Sequence, residues 1–186
     1  ALIYNTNLPQ EERTIEHIDP ETGKRSVWVD KNKAVESFGT LFSGDEAPAV
    51  GPLPEAISAD GTIGYYLVEG DVFVLNLKKN RFLRITKTPQ NESAVRISPD
   101  AKKISYVREN DIYVYLLEDR KEVRLTRDGS ETLLNGTLSW VYWEEVFGRQ
   151  DRGYWWSRDS KSIAFFQTDE AGVSVQHITN FSPWTP

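Results

Sequence analysis

The sequence predicts an all-β protein, specifically part of a β-propeller with about three to four blades of four antiparallel strands and a short helical insert. The first observation is an internal repeat of about 40 residues, which is typical of propeller blades. The second is that each repeat contains short runs of β-branched and aromatic residues separated by polar turns. With 39% hydrophobic and 12% aromatic residues among 186, the chain can build a globular core.

A Ser-x-Asp turn followed by a short apolar strand opens each repeat. The three turns begin at Ser58, Ser98 and Ser157. The first two are 40 positions apart, and the same offset relates the apolar segment 70–74 to the segment 110–114. The repeat therefore predicts two complete blades with matching strands.

The repeat also predicts how the chain divides. We expect a partial first blade and connector at 1–57, blades at 58–97 and 98–138, and a helical insert with the start of the next blade at 139–186. All four segments are expected to form one propeller domain. Because a closed propeller has about four to eight blades, the chain is interpreted as a fragment of a longer ring. Its open blade edges predict self-association.

The third turn comes 59 positions after the second, which places an insert at about 135–154. The adjacent carboxylates Glu144 and Glu145 lie there among large aromatic residues. In a strand the two would point to opposite faces. A short helix would bring them closer and would place Trp140, Glu144 and Phe147 at helical spacing. A helical insert is therefore the favoured interpretation.

The carboxylate pair has two interpretations from the residues alone. Adjacent carboxylates repel each other and need a cation, and a primary ammonium offers three donors to them. Alternatively, both glutamates are solvated on a surface turn while the aromatic residues fill the core. The residues alone leave both interpretations open.

Composition excludes several classes of function. There is no Cys, so disulfides, thiolate zinc sites and cysteine nucleophiles are excluded. The net charge of -6 and the lack of a basic patch argue against nucleic-acid binding. The chain contains no G-x-S-x-G elbow, no dinucleotide or P-loop motif and no membrane-length apolar run. We therefore expect no cofactor, no metal site and no catalytic residue in this chain.

Two segments carry a family resemblance. Residues 135–147, which contain the string W-V-Y-x-E-E-V-F, are followed by a W-W-S-x-D turn at 155–159. Together they resemble the propeller domain of the dipeptidyl peptidase IV family of serine peptidases. The resemblance covers residues 58–186 well and 1–57 loosely. The sequence departs from the family pattern at Trp143, where the family has a first Glu, and at Ser139, where it has Asp.

The resemblance implies a function. Members of this family remove dipeptides from peptide amino termini after Pro or Ala, and an α/β-hydrolase domain absent from this chain carries the Ser-Asp-His triad. By the resemblance, Glu144 and Glu145 bind the α-ammonium of the substrate and position the bond after the second residue at the nucleophile. The chain by itself is then inactive.

The resemblance also implies partners and a location. The expected partners are peptide substrates with a free amino terminus and the hydrolase domain, in a parent protein that forms a homodimer. A periplasmic, secreted or cell-surface location is expected. The alternative hypothesis is a non-catalytic propeller that serves as a binding scaffold, in which the glutamate pair has no evident purpose.

Overall fold

The computed structural model describes residues 2–4, 6–9, 12–43, 47–150 and 152–174. The predicted first blade and connector at 1–57 and the predicted insert and next blade at 139–186 lie partly outside these residues. The described chain consists of fifteen short strands, one α-helix and one π-helical turn. All strand pairs are antiparallel, which agrees with the predicted fold class.

The first sheet contains three strands, β1 (Leu2–Tyr4), β2 (Ile15–Ile18) and β3 (Arg25–Val27), in that order. The hairpin between β2 and β3 closes at Asp19, whose carboxylate accepts hydrogen bonds from the backbone amides of Glu21 and Thr22. Strands β2 and β3 therefore pair with each other as a hairpin.

A helix that the sequence analysis did not predict follows the first sheet. Helix α1 (Lys31–Gly39) begins after Asp30, whose side chain accepts a 3.1 Å hydrogen bond from the amide of Lys33 as an N-cap. Its buried residues are Ala34 and Phe38. Phe38 contacts Phe73 and Phe82 of the next sheet, so tertiary packing holds this short helix in place.

Two four-stranded sheets follow, and each has its strands in sequence order. The first contains β4 (Ala56–Ile57), β5 (Ile63–Val68), β6 (Asp71–Asn76) and β7 (Arg81–Arg84). The second contains β8 (Ser93–Ile97), β9 (Lys103–Arg108), β10 (Asp111–Leu116) and β11 (Lys121–Arg124). Such four-stranded antiparallel meanders are typical of propeller blades.

The hydrogen-bonded sheets are offset from the repeat units at 58–97 and 98–138. Strand β8 lies at the end of the first repeat unit, yet it pairs with β9 of the second. Strand β4 likewise precedes the first turn and pairs with β5. The reason is that each Ser-x-Asp segment is the turn between the first and second strands of a blade, so a unit counted from that turn begins one strand late.

The three repeated turns share one hydrogen-bond pattern. At each turn the serine hydroxyl donates a 2.6 Å hydrogen bond to the aspartate two residues later. The same hydroxyl accepts hydrogen bonds from backbone amides four or five residues ahead, at 3.0–3.1 Å. The pairs are Ser58 with Asp60, Ser98 with Asp100, and Ser157 with Asp159. The sequence motif thus closes the first hairpin of each blade.

The described part of the next blade is formed by two pairs of strands. Strand β12 (Leu133–Asn135) pairs with β15 (Gln167–Asp169), and β13 (Tyr154–Trp156) pairs with β14 (Ile163–Phe165). The insert leaves the fold between β12 and β13. Its two ends therefore adjoin strands of two separate two-stranded sheets.

The two complete blades pack face to face through a shared apolar cluster. From the first blade the cluster includes Tyr65, Val72 and Val74, and from the second it includes Ile104 and Tyr106, all of them buried. Burial of such side chains is the main stabilising contribution to the fold. The packing fixes the position of one blade relative to the next.

A charged network recurs with the period of the repeat. The buried carboxylate of Asp71 is ion-paired with Arg84, and that of Asp111 is ion-paired with Arg124. Asp111 also accepts a 3.2 Å hydrogen bond from the side-chain amide of Asn135, at the end of β12. Since Asn135 immediately precedes the insert, this network ties the start of the insert to the preceding blade.

Candidate functional site

The insert leaves the blade through a neck of backbone hydrogen bonds. The amide of Gly153 donates to the carbonyl of Gly136 at 2.8 Å, and the amide of Gly136 donates to the carbonyl of Phe166 at 3.0 Å. Thr137 and Arg152 form an isolated antiparallel bridge just beyond. The two ends of the insert are therefore held together, and the residues between them project from the blade as a closed loop.

The conformation of Gly136 is one that side chains disfavour. Its φ is +78°, and a Cβ at this position would lie 2.8 Å from Cγ1 of the buried Ile112. Both facts require glycine here. At the neck, the backbone of the insert lies so close to the preceding blade that any side chain at position 136 would clash with it.

The carboxylates lie on a π-helical turn that spans Tyr142–Val146. The amide of Phe147 donates to the carbonyl of Tyr142 at 2.9 Å, a bond between residues five apart. The insert is therefore helical, as predicted, but its turn is wider than an α-helical one. The expected α-helical spacing of Trp140, Glu144 and Phe147 does not apply to this turn. π-turns are uncommon and occur often at functional sites.

Glu144 and Glu145 differ in their surroundings. The side chain of Glu144 is 29% exposed, and its Oε1 lies 3.7 Å from Nη2 of Arg149. Glu145 is exposed to solvent. The turn thus presents one partly buried carboxylate with a cationic neighbour, next to one exposed carboxylate.

An aromatic cluster anchors the end of the turn. The ring of Phe147 lies 6.1 Å from that of Trp155 on β13 and 6.0 Å from that of Phe166. Trp155 and Phe166 lie 5.7 Å apart, edge to face. Contacts of this kind stabilise beyond the area that they bury. They hold the acidic turn beside the first strand of the last described blade.

Four apolar side chains of the insert are exposed, and Trp140 is the most exposed of them at 69%. They are Trp140, Val141, Tyr142 and Val146. Exposed apolar residues that lie so close in sequence to two carboxylates are typical of a binding surface.

The chemistry available to this site is the binding of a cation. An ionised carboxylate only accepts hydrogen bonds, whereas an ammonium group donates three. Charge-assisted bonds of this kind are about twice as strong as neutral ones. The guanidinium of Arg149 forms an ion pair with Glu144 at 3.7 Å, a contact that the sequence analysis did not foresee. Glu144 and Arg149 are five residues apart in sequence. That spacing predicts a contact only in a π-helical turn, which the sequence did not indicate.

The described residues include no group of three or more His, Asp or Glu side chains placed to hold a metal ion. The same part of the chain holds no helix that is long and apolar enough to cross a membrane. Of the two histidines, His17 lies in β2 and stacks near Trp28 at 5.2 Å, while His177 lies outside the described residues.

The fold and the acidic turn define the chain as a segment of a β-propeller with a carboxylate pair on an insert. A sequence profile described as "Dipeptidyl peptidase IV (DPP IV) N-terminal region" matches residues 64–185, which is more than half of the chain. The chain therefore belongs to the dipeptidyl peptidase IV family, as the sequence resemblance indicated. The matched residues include most of the first complete blade, all of the second and the acidic turn.

Curated relatives carry consistent names. The chain is 41% identical over 106 residues to "Dipeptidyl aminopeptidase B" of Saccharomyces cerevisiae, a match that covers 56% of this chain and 12% of the yeast protein. It is 37% identical over 97 residues to "Probable dipeptidyl-aminopeptidase B" of Phaeosphaeria nodorum, which covers 50% of this chain and 10% of the fungal protein. The chain thus matches about a tenth of the length of these relatives.

Solved structures show the same fold. The crystal structure of Porphyromonas gingivalis dipeptidyl peptidase 4 superposes with a TM-score of 0.66 at 21% sequence identity, covering 94% of this chain and 26% of that one. A putative dipeptidyl aminopeptidase IV from Bacteroides ovatus superposes with a TM-score of 0.55 at 19% identity, covering 87% and 21%. Because the superposition with the P. gingivalis structure includes nearly all of this chain, the propeller fold extends beyond the residues that the sequence profile matches.

Proposed function

We propose that this chain is the N-terminal propeller portion of a serine exopeptidase that removes dipeptides after Pro or Ala from peptide amino termini. Family membership and the names of the curated relatives support this activity. In this proposal Glu144 and Glu145 bind the α-ammonium of the substrate. The single observation that carries the assignment is the carboxylate pair on an inserted π-turn, in a segment that also exposes four apolar side chains.

The proposed contribution of the turn to catalysis is positioning. An amino terminus held by two carboxylates fixes the distance along the peptide to the bond that reaches the nucleophile. The neck at Gly136 and Gly153 and the contact of Phe147 with Trp155 would keep that distance constant. The turn needs no proton transfer of its own for this task.

Two further proposals follow from family membership. We infer that the nucleophile and its triad belong to an α/β-hydrolase domain elsewhere in the full-length protein, so that the 186 residues alone do not cleave peptides. We also infer that the full-length protein acts outside the cytoplasm, where peptides with free amino termini are available. A G-x-S-x-G motif in the gene beyond this chain would support the first proposal.

The experiment compares hydrolysis of Gly-Pro-p-nitroanilide by the full-length protein and by its Glu144→Gln and Glu145→Gln variants. Removing one charge from a tight pair costs about 2–5 kcal/mol, so kcat/KM should fall by about tens- to thousands-fold. The matched control is Glu118→Gln, which removes an equal charge from an exposed turn between β10 and β11 and should leave kcat/KM unchanged.

An amino-acetylated substrate completes the test. The proposal expects the wild-type protein to cleave only the unblocked substrate. Full activity in both Glu variants would show that the pair is solvated and does not bind substrate. If the wild-type protein cleaves neither substrate, the non-catalytic scaffold becomes the better interpretation.

A further inference from the structure

We propose that a cavity lined by Arg96 and Arg152 binds a carboxylate of the peptide substrate, downstream of the amino terminus held by the acidic turn. The inference rests on the proposed function for the identity of the ligand, since it concerns the same peptide. Its structural basis is separate, because the cavity involves neither Glu144 nor Glu145.

The cavity lies where the first strands of three successive blades meet. It has a volume of about 290 Å³ and is open to solvent on one side. Residues from β4, β8 and β13 line it, together with the Ser-x-Asp turns at Ser58 and Ser98. The volume is near the lower end of the range of about 300–1,000 Å³ that is typical of ligand pockets.

The charge of this cavity opposes that of the whole chain. Two arginines line it, and none of the described lining residues is acidic, although the net charge of the chain is -6. Asp60 and Asp100 adjoin lining residues in sequence, and both are held within their own turns by Ser58 and Ser98. Asp100 is also paired with Lys103. The cavity is therefore a local positive site that favours an anion.

The guanidinium of Arg96 has an N–H donor without a hydrogen-bond partner in the described part of the chain. Its Nη1 donates to the neighbouring carbonyl of Val95 at 2.7 Å, while its Nε is buried and has no hydrogen-bond partner among the described residues. A buried donor without a partner is costly unless a ligand or water satisfies it. A carboxylate fits the need well, because guanidinium groups bind carboxylates through two parallel hydrogen bonds.

A β-bulge places Arg96 at the cavity. The register between β8 and β9 shifts between Ser93 and Arg96, and Ala94 in the bulge has a φ of +50°. Tyr154 of β13 donates a 2.6 Å hydrogen bond to the carbonyl of Ala94 and so fixes the bulge from the next blade. Bulges that redirect a side chain are common beside functional sites. A strained backbone kept in place by a neighbouring blade is consistent with a role beyond packing.

The second arginine links the cavity to the acidic turn. Arg152 lies in the neck of the insert, opposite Thr137, and its guanidinium lies 5.9 Å from the ring of Trp155. Trp155 lines the cavity and also contacts Phe147, at the end of the acidic turn. Trp155 therefore connects the cavity with the residue that ends the acidic turn. A peptide with a free amino terminus and a downstream carboxylate matches both sites, whereas a free inorganic anion matches only one.

The test is titration calorimetry on the full-length protein with pairs of peptides that begin Gly-Pro and differ by one Glu or Gln, placed at the third to the sixth position. A reduced amide after the second residue prevents cleavage. At one position the Glu peptide should bind about 10- to 100-fold more tightly than the Gln peptide. In Arg96→Gln and in Arg152→Gln this ratio should fall to near one.

Three comparisons keep the result interpretable. Lys121→Gln removes an exposed charge from the outer strand β11 and should preserve the ratio. Amino-acetylated peptides test the acidic turn separately. If the acidic turn does not bind the α-ammonium, acetylation will leave the affinity of the peptide unchanged, and the proposed function fails. Inorganic phosphate serves as a third probe, and thermal melting of each variant verifies that it is folded.

Several results would overturn the proposal. These are a Glu-to-Gln ratio near one at every position, a ratio that survives in Arg96→Gln, or phosphate binding without any preference for the Glu peptide. The last result would assign the cavity to a free anion. If a variant does not fold, the more conservative Arg96→Lys, which retains the charge but not the forked donors, should lower the ratio only partly.

Discussion

Tyr154 donates a 2.6 Å hydrogen bond to the carbonyl oxygen of Ala94, which lies sixty residues earlier on the first strand of the preceding blade. The hydroxyl also lies 3.0 Å from Oγ of Ser105 on the second strand of that blade. Tyr154 is completely buried, and burial raises the pKa of its hydroxyl well above the usual range. The hydroxyl thus remains protonated and joins two blades at the wall of the cavity.

Removing this hydroxyl should destabilise the protein. Tyr154→Phe leaves the buried carbonyl of Ala94 without its donor, and we expect a loss of about 1–3 kcal/mol in the free energy of unfolding. Urea denaturation followed by tryptophan fluorescence measures the loss. Tyr142→Phe is the control, since that side chain is half exposed and its change should stay within about 0.5 kcal/mol. Equal effects of the two variants would contradict the role of the Tyr154 hydroxyl.

The neck of the insert provides a second prediction. Gly136→Ala places a Cβ 2.8 Å from Cγ1 of Ile112 at a φ of +78°, so the fold must shift or accept strain. We expect a loss of about 1–3 kcal/mol in unfolding free energy, together with a weakened response to amino-terminal acetylation of the substrate. Gly172→Ala is the control, because nothing lies within 4 Å of that position. A Gly136→Ala protein as stable as the control would contradict this account of the neck.

Acid should weaken the blade network. Burial opposes ionisation of Asp111, but hydrogen bonds from Thr126, Arg124 and Gly129 lower the pKa of its carboxyl group. For Asp100 burial again opposes ionisation, yet bonds from Ser98 and Lys103 lower the pKa to about 2. These groups contribute stability above the unfolded pKa of about 3.9 and lose it as pH falls through their folded values. Unfolding free energy should therefore decrease from about pH 4 downward.

The charge of Asp111 can be tested directly. Asp111→Asn should cost about 1–3 kcal/mol at pH 7, and it should flatten the decrease in stability below pH 4 because one depressed carboxyl group is gone. The partner Arg124 is 38% exposed, so solvent offsets part of its loss. Asp119→Asn, in an exposed turn, is the control for net charge. Parallel pH profiles for the Asp111→Asn and wild-type proteins would refute the prediction.

Arg149 should compete weakly with substrate. Its side chain is 76% exposed and lies 3.7 Å from Glu144, so the pair contributes at most about 1 kcal/mol. Arg149→Gln in the full-length protein should lower KM for Gly-Pro-p-nitroanilide by up to about fivefold and leave the acetylated substrate uncleaved. Arg158→Gln removes an exposed charge away from the turn and should not change KM. A raised KM in Arg149→Gln would show that Arg149 assists binding instead.

Local patterns predicted much of the fold. The Ser-x-Asp turns at Ser58 and Ser98 close hairpins through hydrogen bonds that span only a few residues, so their sequence signature was sufficient. The alternation of apolar residues likewise predicted strands such as β6 and β10. Helix α1 was not predicted, because a segment of nine residues with only two buried positions is too short to show a clear helical periodicity. It forms because Phe38 meets Phe73 and Phe82 from another sheet.

Some features of the candidate site were predictable from the sequence and others were not. Glu144 and Glu145 were recognisable because they are adjacent in a distinctive string of residues. The contact of Glu144 with Arg149 depends on a π-turn, whose register no local pattern specified. Arg96 and Arg152 are 56 positions apart in sequence, and neither stands in a recognisable motif.

By itself, the sequence determined the blade repeat, the closing turns and the family insert with its two carboxylates, because each depends on interactions between residues close together in the chain. The tertiary structure alone decided that a bulge at Ala94, a tyrosine at position 154, an arginine of β8 and an arginine of the neck meet at one cavity. That convergence depends on the packing of blade against blade. Such packing brings together side chains whose separation along the chain carries no signal.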